Sequence, residues 1–200
     1  MRIFNGCQLI QWLLVSALSI HSLHVAARVH SLSVAAIIEG AEQQIGQTRF
    51  YDPAYVKLSY PNGDVDIERG VCSDVVVRAL RHAGHDLQVL VHQDMKAHFS
   101  AYPKIWGLKK PDTNIDHRRV PNLEIYFKRQ GKAQLITTDA VNYLPGDIVS
   151  WRLDNGLPHI GIVANKKSWR GTPMIIHNIG WGTQMEDGLF SWKIVGHYRY

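Results

Sequence analysis

The chain has 200 residues, of which 46% are hydrophobic, 20% charged and 10% aromatic, the make-up of one globular domain of ordinary size. That composition excludes a disordered chain, a collagen and a multi-span membrane protein. Lys and Arg number 22 against 17 Asp and Glu, giving +5; with no five-residue basic run and no basic stripe interleaved with aromatics, nucleic acid is not an expected partner.

Arg2, an apolar stretch from Leu9 to Ile20 and the small residues Val25-Ala26-Ala27 have the layout of a secretory signal cleaved after Ala27. The apolar run is shorter than the roughly 20 residues of a membrane-spanning helix, and His21 and His24 interrupt its end. Residues 1–27 are therefore read as a signal peptide and residues 28–200 as a single domain, periplasmic or secreted. The mature chain keeps 173 residues, with 21 basic and 17 acidic side chains for a net +4. Cys7 leaves with the signal, so Cys72 is the one thiol of the mature chain. In an oxidising compartment a lone thiol is either buried and inert or put to use.

Along the mature chain, Ser33–Gln44 has the spacing of a short amphipathic helix ending near Gly46. Tyr51-Asp52-Pro53 and Tyr60 to Asp64 form a turn-rich extended segment. Cys72–Ala83 places Val75, Val76, Ala79, Leu80 and Ala83 at helical spacing, and Gly84 stops the helix. Further helices are expected at Leu87–Ser100 and Pro121–Arg129. The period then switches to short runs rich in β-branched and aromatic residues at Ala133–Thr137, Asp147–Leu153, His159–Ala164, Met174–Asn178 and Ser191–Tyr198. Helices followed by consecutive strands predict an α+β domain, its N-terminal helices packed on a C-terminal antiparallel sheet.

Chemistry concentrates at Cys72. A thiol in the first turn of a helix meets the free N–H groups and the positive end of the helix dipole, which favour the thiolate and can hold an oxyanion. Asp74, in the same turn, is read as a structural charge on that dipole. The base that a nucleophilic Cys needs is assigned to His159, which opens an apolar strand after the Asp154-Asn155-Gly156 turn. Gly161, two positions along on the same face, leaves room for substrate or for close approach of the Cys helix. His177 or Asn178 is the third member that orients the His159 ring; strand alternation lets only one of them point at it, and His177 is preferred. Arg118 and Arg119 are candidates to grip a substrate carboxylate, against a plainer reading in which Asp116 caps a helix and both Arg face solvent.

Val71-Cys72-Ser73 opening a helix, Pro145-Gly146-Asp147-Ile148-Val149 opening a strand, His159-Ile160-Gly161-Ile162-Val163 on the next and Ile176-His177-Asn178 after it resemble the NlpC-type and CHAP-type papain-like cysteine hydrolases. More closely, Tyr51-Asp52-Pro53, Arg69-Gly70-Val71-Cys72, Asn114 to Val120 and Gly196-His197-Tyr198-Arg199 resemble the exported bacterial family known as domain of unknown function 1287, from about Ala41 to Tyr200. The hydrolase resemblance implies a papain-like fold, a Cys-His-polar triad and cleavage of peptidoglycan amides, as an amidase or endopeptidase. It also implies a Tyr upstream of the Cys near the oxyanion; Tyr51, Tyr55 and Tyr60 are available, and Tyr60 is preferred. Val71 stands where NlpC-type enzymes usually have Asp, and the insertion between Cys72 and the strands is long, so substrate preference is not carried across.

This chemistry implies no metal and no organic cofactor. A zinc hydrolase on His159, His177 and a carboxylate is the alternative chemistry, without an H-E-x-x-H signature to support it. A non-catalytic wall-binding module is the rival of another class. The expected partner is peptidoglycan, the expected state a monomer, and an immunity protein would be needed if the enzyme serves as an antibacterial toxin.

Overall fold

The computed structural model describes residues 33–200. The signal peptide expected over residues 1–27 lies outside the described residues. No described helix is long and apolar enough to cross a membrane.

Helix α1 covers 33–42. Strands β1 (Phe50–Tyr51) and β2 (Arg69–Gly70) then form a two-residue parallel ladder that leads straight into helix α2 (Cys72–His82). Val71 is the extended residue before α2, and the Asp74 carboxylate accepts its N–H at 2.7 Å, which fixes where the helix starts. At the other end Gly84 takes a positive φ of 89°, and the His85 amide returns to the Leu80 carbonyl, closing the helix as its spacing predicts. Helices α3 (Leu87–Ala97) and α4 (Val120–Arg129) follow; the end of the expected Leu87–Ser100 helix is a separate 3-10 turn, Phe99–Ala101.

The C-terminal part is a five-stranded antiparallel sheet of β3 (Ile148–Arg152), β4 (Pro158–Lys167), β5 (Pro173–Asn178), β6 (Thr183–Glu186) and β7 (Lys193–Tyr198), in the order β6-β5-β4-β3-β7. The fold is thus α+β, as its sequence predicts. Both faces are covered. Ile148, Ile160, Ile162 and Ile176 pack against Val76, Ala79 and Leu80 of α2 and Leu123 and Phe127 of α4. Val149, Trp151, Val163 and Ile175 form a second core with Tyr143 and Leu189 on the opposite face. Each such fully buried Val, Leu or Ile contributes roughly 1.5–3 kcal/mol relative to exposure. The buried Trp151 indole donates to the Leu189 carbonyl at 2.9 Å, so its polar atom is not orphaned.

Two expectations about strands change. Ala133–Thr137 is not a strand: it makes one bridge, Ala133 to Tyr198, and then peels away with Leu135 84% exposed. Conversely β6, which the sequence does not announce, lies between Gly182, where φ is 86°, and Asp187.

Candidate active site

The start of α2 abuts the start of β4. The amide of Ile160, the residue after His159, and the amide of Ser73 both point at the Cys72 sulfur, and the Tyr51 hydroxyl lies against it. Cys72 is 3% exposed. Burial pushes its thiol up to about 12, with Asp74 adding to the rise and the two amides and Tyr51 opposing it. The resting thiolate expected from the helix dipole is therefore corrected: desolvation outweighs the donors, and the resting group is a thiol. Burial, with Cys72 and Asp74 nearby, also raises Tyr51 well above the usual phenol range.

Alternation along β4 sends Ile160 and Ile162 toward α2, and His159 and Gly161 toward the second core. His159 there packs against Trp151 and Trp192, both with ring centroids at 5.7 Å. Its Nε2 meets His177 Nδ1 at 2.7 Å, and His177 Nε2 meets Glu186 Oε2 at 3.4 Å. His159 is 2% and His177 1% exposed, and burial, with His177 beside it, draws His159 down to about 3. At rest the His159 imidazole and the Cys72 thiol are both neutral. Because Nε2 of His159 is engaged by His177, Nδ1 is the ring nitrogen left unengaged. No hydrogen bond joins Cys72 to His159 among the described residues; the Ile160 amide contact is what places the sulfur beside the His159 backbone.

The competition between His177 and Asn178 resolves by face. Asn178, on the α2 side, donates from Nδ2 to the Gly70 carbonyl at 3.1 Å and so holds the turn that presents Cys72. His177 points the other way, to His159. Gly161 serves His177 rather than the Cys helix: a Cβ there would lie 3.0 Å from His177 Cβ and 2.8 Å from Ile175 Cγ2. Among the described residues no three His, Cys, Asp or Glu side chains converge as a metal site.

The profile of the family described as "Domain of unknown function (DUF1287)" matches residues 38–200. The chain belongs to the DUF1287 family. The Escherichia coli "Uncharacterized protein YijF" is 56% identical over 193 residues, covering 94% of each chain. Among solved structures, "Structure of NlpC1 from Trichomonas vaginalis" superposes with a TM-score of 0.42 and 16% identity, over 82% of this chain and 44% of that one. The present chain thus spans less than half of that protein.

The remaining candidates of the DUF1287 domain are placed as follows. Tyr51, not Tyr60, is the tyrosine on the thiol; Tyr60 packs edge-on against His92 of α3, with ring centroids 5.5 Å apart. The β1–β2 ladder, too short to read in sequence, is what carries Tyr51 to Cys72. Arg118 is not free to grip a substrate carboxylate, because it already grips Asp74: Nε to Oδ1 at 2.8 Å and a second N–H to Oδ2 at 2.9 Å, both side chains almost wholly buried. Arg119 stacks over Trp106 with its guanidinium 4.2 Å from the ring centroid and lies 3.5 Å from Asp116. The plainer reading of this segment is corrected as well. Asp116 is not the cap of α4, whose N-cap is Arg119; it starts the 3-10 turn Asp116–Arg118 and accepts the Asp112 amide. Glu186 escapes the sequence reading because its strand lies in a Gly-rich stretch that reads as a turn.

The neutral thiol sets a testable reactivity. Iodoacetamide labelling of Cys72, followed on its own peptide by mass spectrometry, is expected to be slow at pH 7 and to rise about tenfold per pH unit up to pH 10 without levelling. A plateau already reached at pH 7 would show a stabilised thiolate and contradict the reading of burial given above.

Proposed function

We propose that the protein is an exported cysteine hydrolase that cleaves an amide bond of peptidoglycan. The observation that carries this reading is the conjunction at one strand end: a cysteine in the first turn of a helix beside the His159–Ile160 peptide, with the His159 ring coupled at 2.7 Å to His177. A purely structural Cys has no need of a buried His pair on the strand end it touches, and the desolvation of that pair carries a cost.

In this mechanism the substrate carbonyl enters above Cys72 while the thiol proton passes to His159 Nδ1 as the sulfur attacks. Proton transfer and attack go together, since the resting pair is neutral. The amides of the first turn of α2 and the Tyr51 hydroxyl are the donors nearest the developing oxyanion. The His159 imidazolium then gives its proton to the leaving amine, and a thioester remains. Water, deprotonated by His159, attacks the thioester, releases the carboxylic acid and returns the thiol. A groove of about 750 Å³ lined by Ile136, Thr137, Phe190 and Trp192 reaches the Trp192 ring that packs on His159 and His177, a place for an extended substrate to lie.

The burial of Cys72 favours a second reading, a non-catalytic wall-binding module in which the thiol is inert. Digestion of purified sacculi by residues 28–200, beside Cys72→Ala, separates the two. New termini, identified by mass spectrometry and made only with Cys72 present, are the expected result and name the bond. A folded protein that sediments with sacculi but releases nothing would replace the hydrolase by the binding module.

A further inference from the structure

The pairing of His159 with His177 leaves a question of direction, because either ring nitrogen of the contact can carry the shared proton. If His177 Nδ1 held it, His159 would present Nε2 as the acceptor and, as a neutral ring, carry its own proton on Nδ1. That nitrogen could then take nothing from Cys72. If His159 Nε2 holds it, Nδ1 is bare and the base is competent.

We propose that Glu186 is a positioning residue that settles this choice, by fixing the proton of His177 on Nε2 and thereby the proton of His159 on Nε2. The inference rests on the reading of Cys72 and His159 as nucleophile and base. A carboxylate only accepts, so the His177 nitrogen facing Glu186 Oε2 at 3.4 Å must be the N–H. Neutral His177 then offers a bare Nδ1, and at 2.7 Å only the N–H of His159 Nε2 can answer it. The line Glu186, His177, His159 thus has one polarity, and it ends on an unprotonated Nδ1.

The sheet builds this line across three strands. In the β5–β6 register Gln184 is directly opposite His177 and Glu186 is opposite Ile175, all on one face, so Glu186 reaches His177 on the diagonal. Gln184 is occupied elsewhere, donating to the Trp181 carbonyl at 3.1 Å. On the other flank the absence of a side chain at Gly161 leaves His177 the space to lie against β4. Glu186 is itself half-exposed, 44% for the side chain, and among the described residues its carboxylate makes no other hydrogen bond or ion pair that replacement would disturb.

The test is Glu186→Gln, which keeps the shape but can donate as well as accept and so no longer prefers one tautomer. Imidazole nitrogen resonances of the uniformly labelled protein report the tautomers directly, without substrate. In the unmodified chain both His159 and His177 are expected as Nε2–H; in Glu186→Gln the His177 resonances move toward an average of the two tautomers. With sacculi fragments as substrate, kcat is expected to fall about 10- to 100-fold, the range for losing the outer partner of a working His, with KM within about twofold. Unchanged His177 resonances in the variant, or an Nδ1 proton on His159 in the unmodified chain, would overturn the proposal whatever the rate does. A chain that cleaves no amide yet shows the Glu186-dependent tautomer would uphold this assignment and refute the hydrolase reading alone.

Discussion

Truncating Arg118 to Ala is expected to lower the unfolding free energy by about 3–5 kcal/mol, the cost of leaving one charge of a buried pair without its partner. The guanidinium makes two parallel contacts to Asp74 at 2.8 and 2.9 Å, and a third N–H reaches the Ala54 carbonyl at 3.1 Å. Removing it strands the Asp74 carboxylate in the interior, where the Val71 amide alone answers it. Lys at this position is not a substitute, since one ammonium cannot match both carboxylate oxygens in the same plane. For a domain of this size each kcal/mol is worth about 2–4 °C in Tm, so thermal unfolding should fall by about 10 °C or more. Coupling between Asp74→Asn and Arg118→Ala in a double-mutant cycle measures the pair itself. A loss below about 1 kcal/mol would mean that solvent reaches the pair after all. The position matters beyond stability, because Asp74 sets where α2 begins and hence where Cys72 stands.

The largest expected effect on activity, after removal of the thiol, belongs to His159. On the hydrolase reading His159→Ala should lower kcat/KM by about 10²–10⁴ at pH 7, the usual worth of a positioned base. The deficit should also shrink as pH rises. With the thiol held near 12, the variant depends on whatever thiolate the medium makes, and that fraction grows about tenfold per pH unit below 12. The unmodified enzyme takes the proton internally and has no such dependence until its own groups titrate. Rates of both proteins from pH 6 to pH 10 therefore converge toward the alkaline end. Parallel profiles would show that His159 contributes something other than proton removal.

Much of this site could be read before any coordinates. The α2 helix announces itself through Val75, Val76, Ala79 and Leu80 with Gly84 behind them, and the Asp154-Asn155-Gly156 turn marks the strand that His159 opens. Strand alternation allowed only one of His177 and Asn178 to face His159, and the fold decides for His177. What could not be read depends on contacts between distant segments. Arg118 looks like a surface charge because its partner, Asp74, is 44 residues away. Tyr51 is chosen over Tyr60 by a ladder of two residues, below any periodicity. Glu186 is hidden because β6 is four residues long and flanked by glycines, so its sequence has the signature of a turn while its edge position in the sheet makes it a strand. Ala133–Thr137 failed in the opposite sense: its composition is that of a strand, but its pairing with β7 stops at the single bridge of Ala133 to Tyr198, beyond which the Leu135 carbonyl still meets β7 at the His197 ring.

The order of the sheet has a cost during synthesis. β7, the last of the described strands, covers the outer side of β3, and Arg199 just beyond it ties back to Asp147 through two contacts of 2.7 Å. Until β7 is available, the Ile-Val-Ser-Trp-Arg strand presents an unpaired, apolar edge that another chain can extend. Products truncated before Lys193 are therefore candidates for aggregation rather than for partial function.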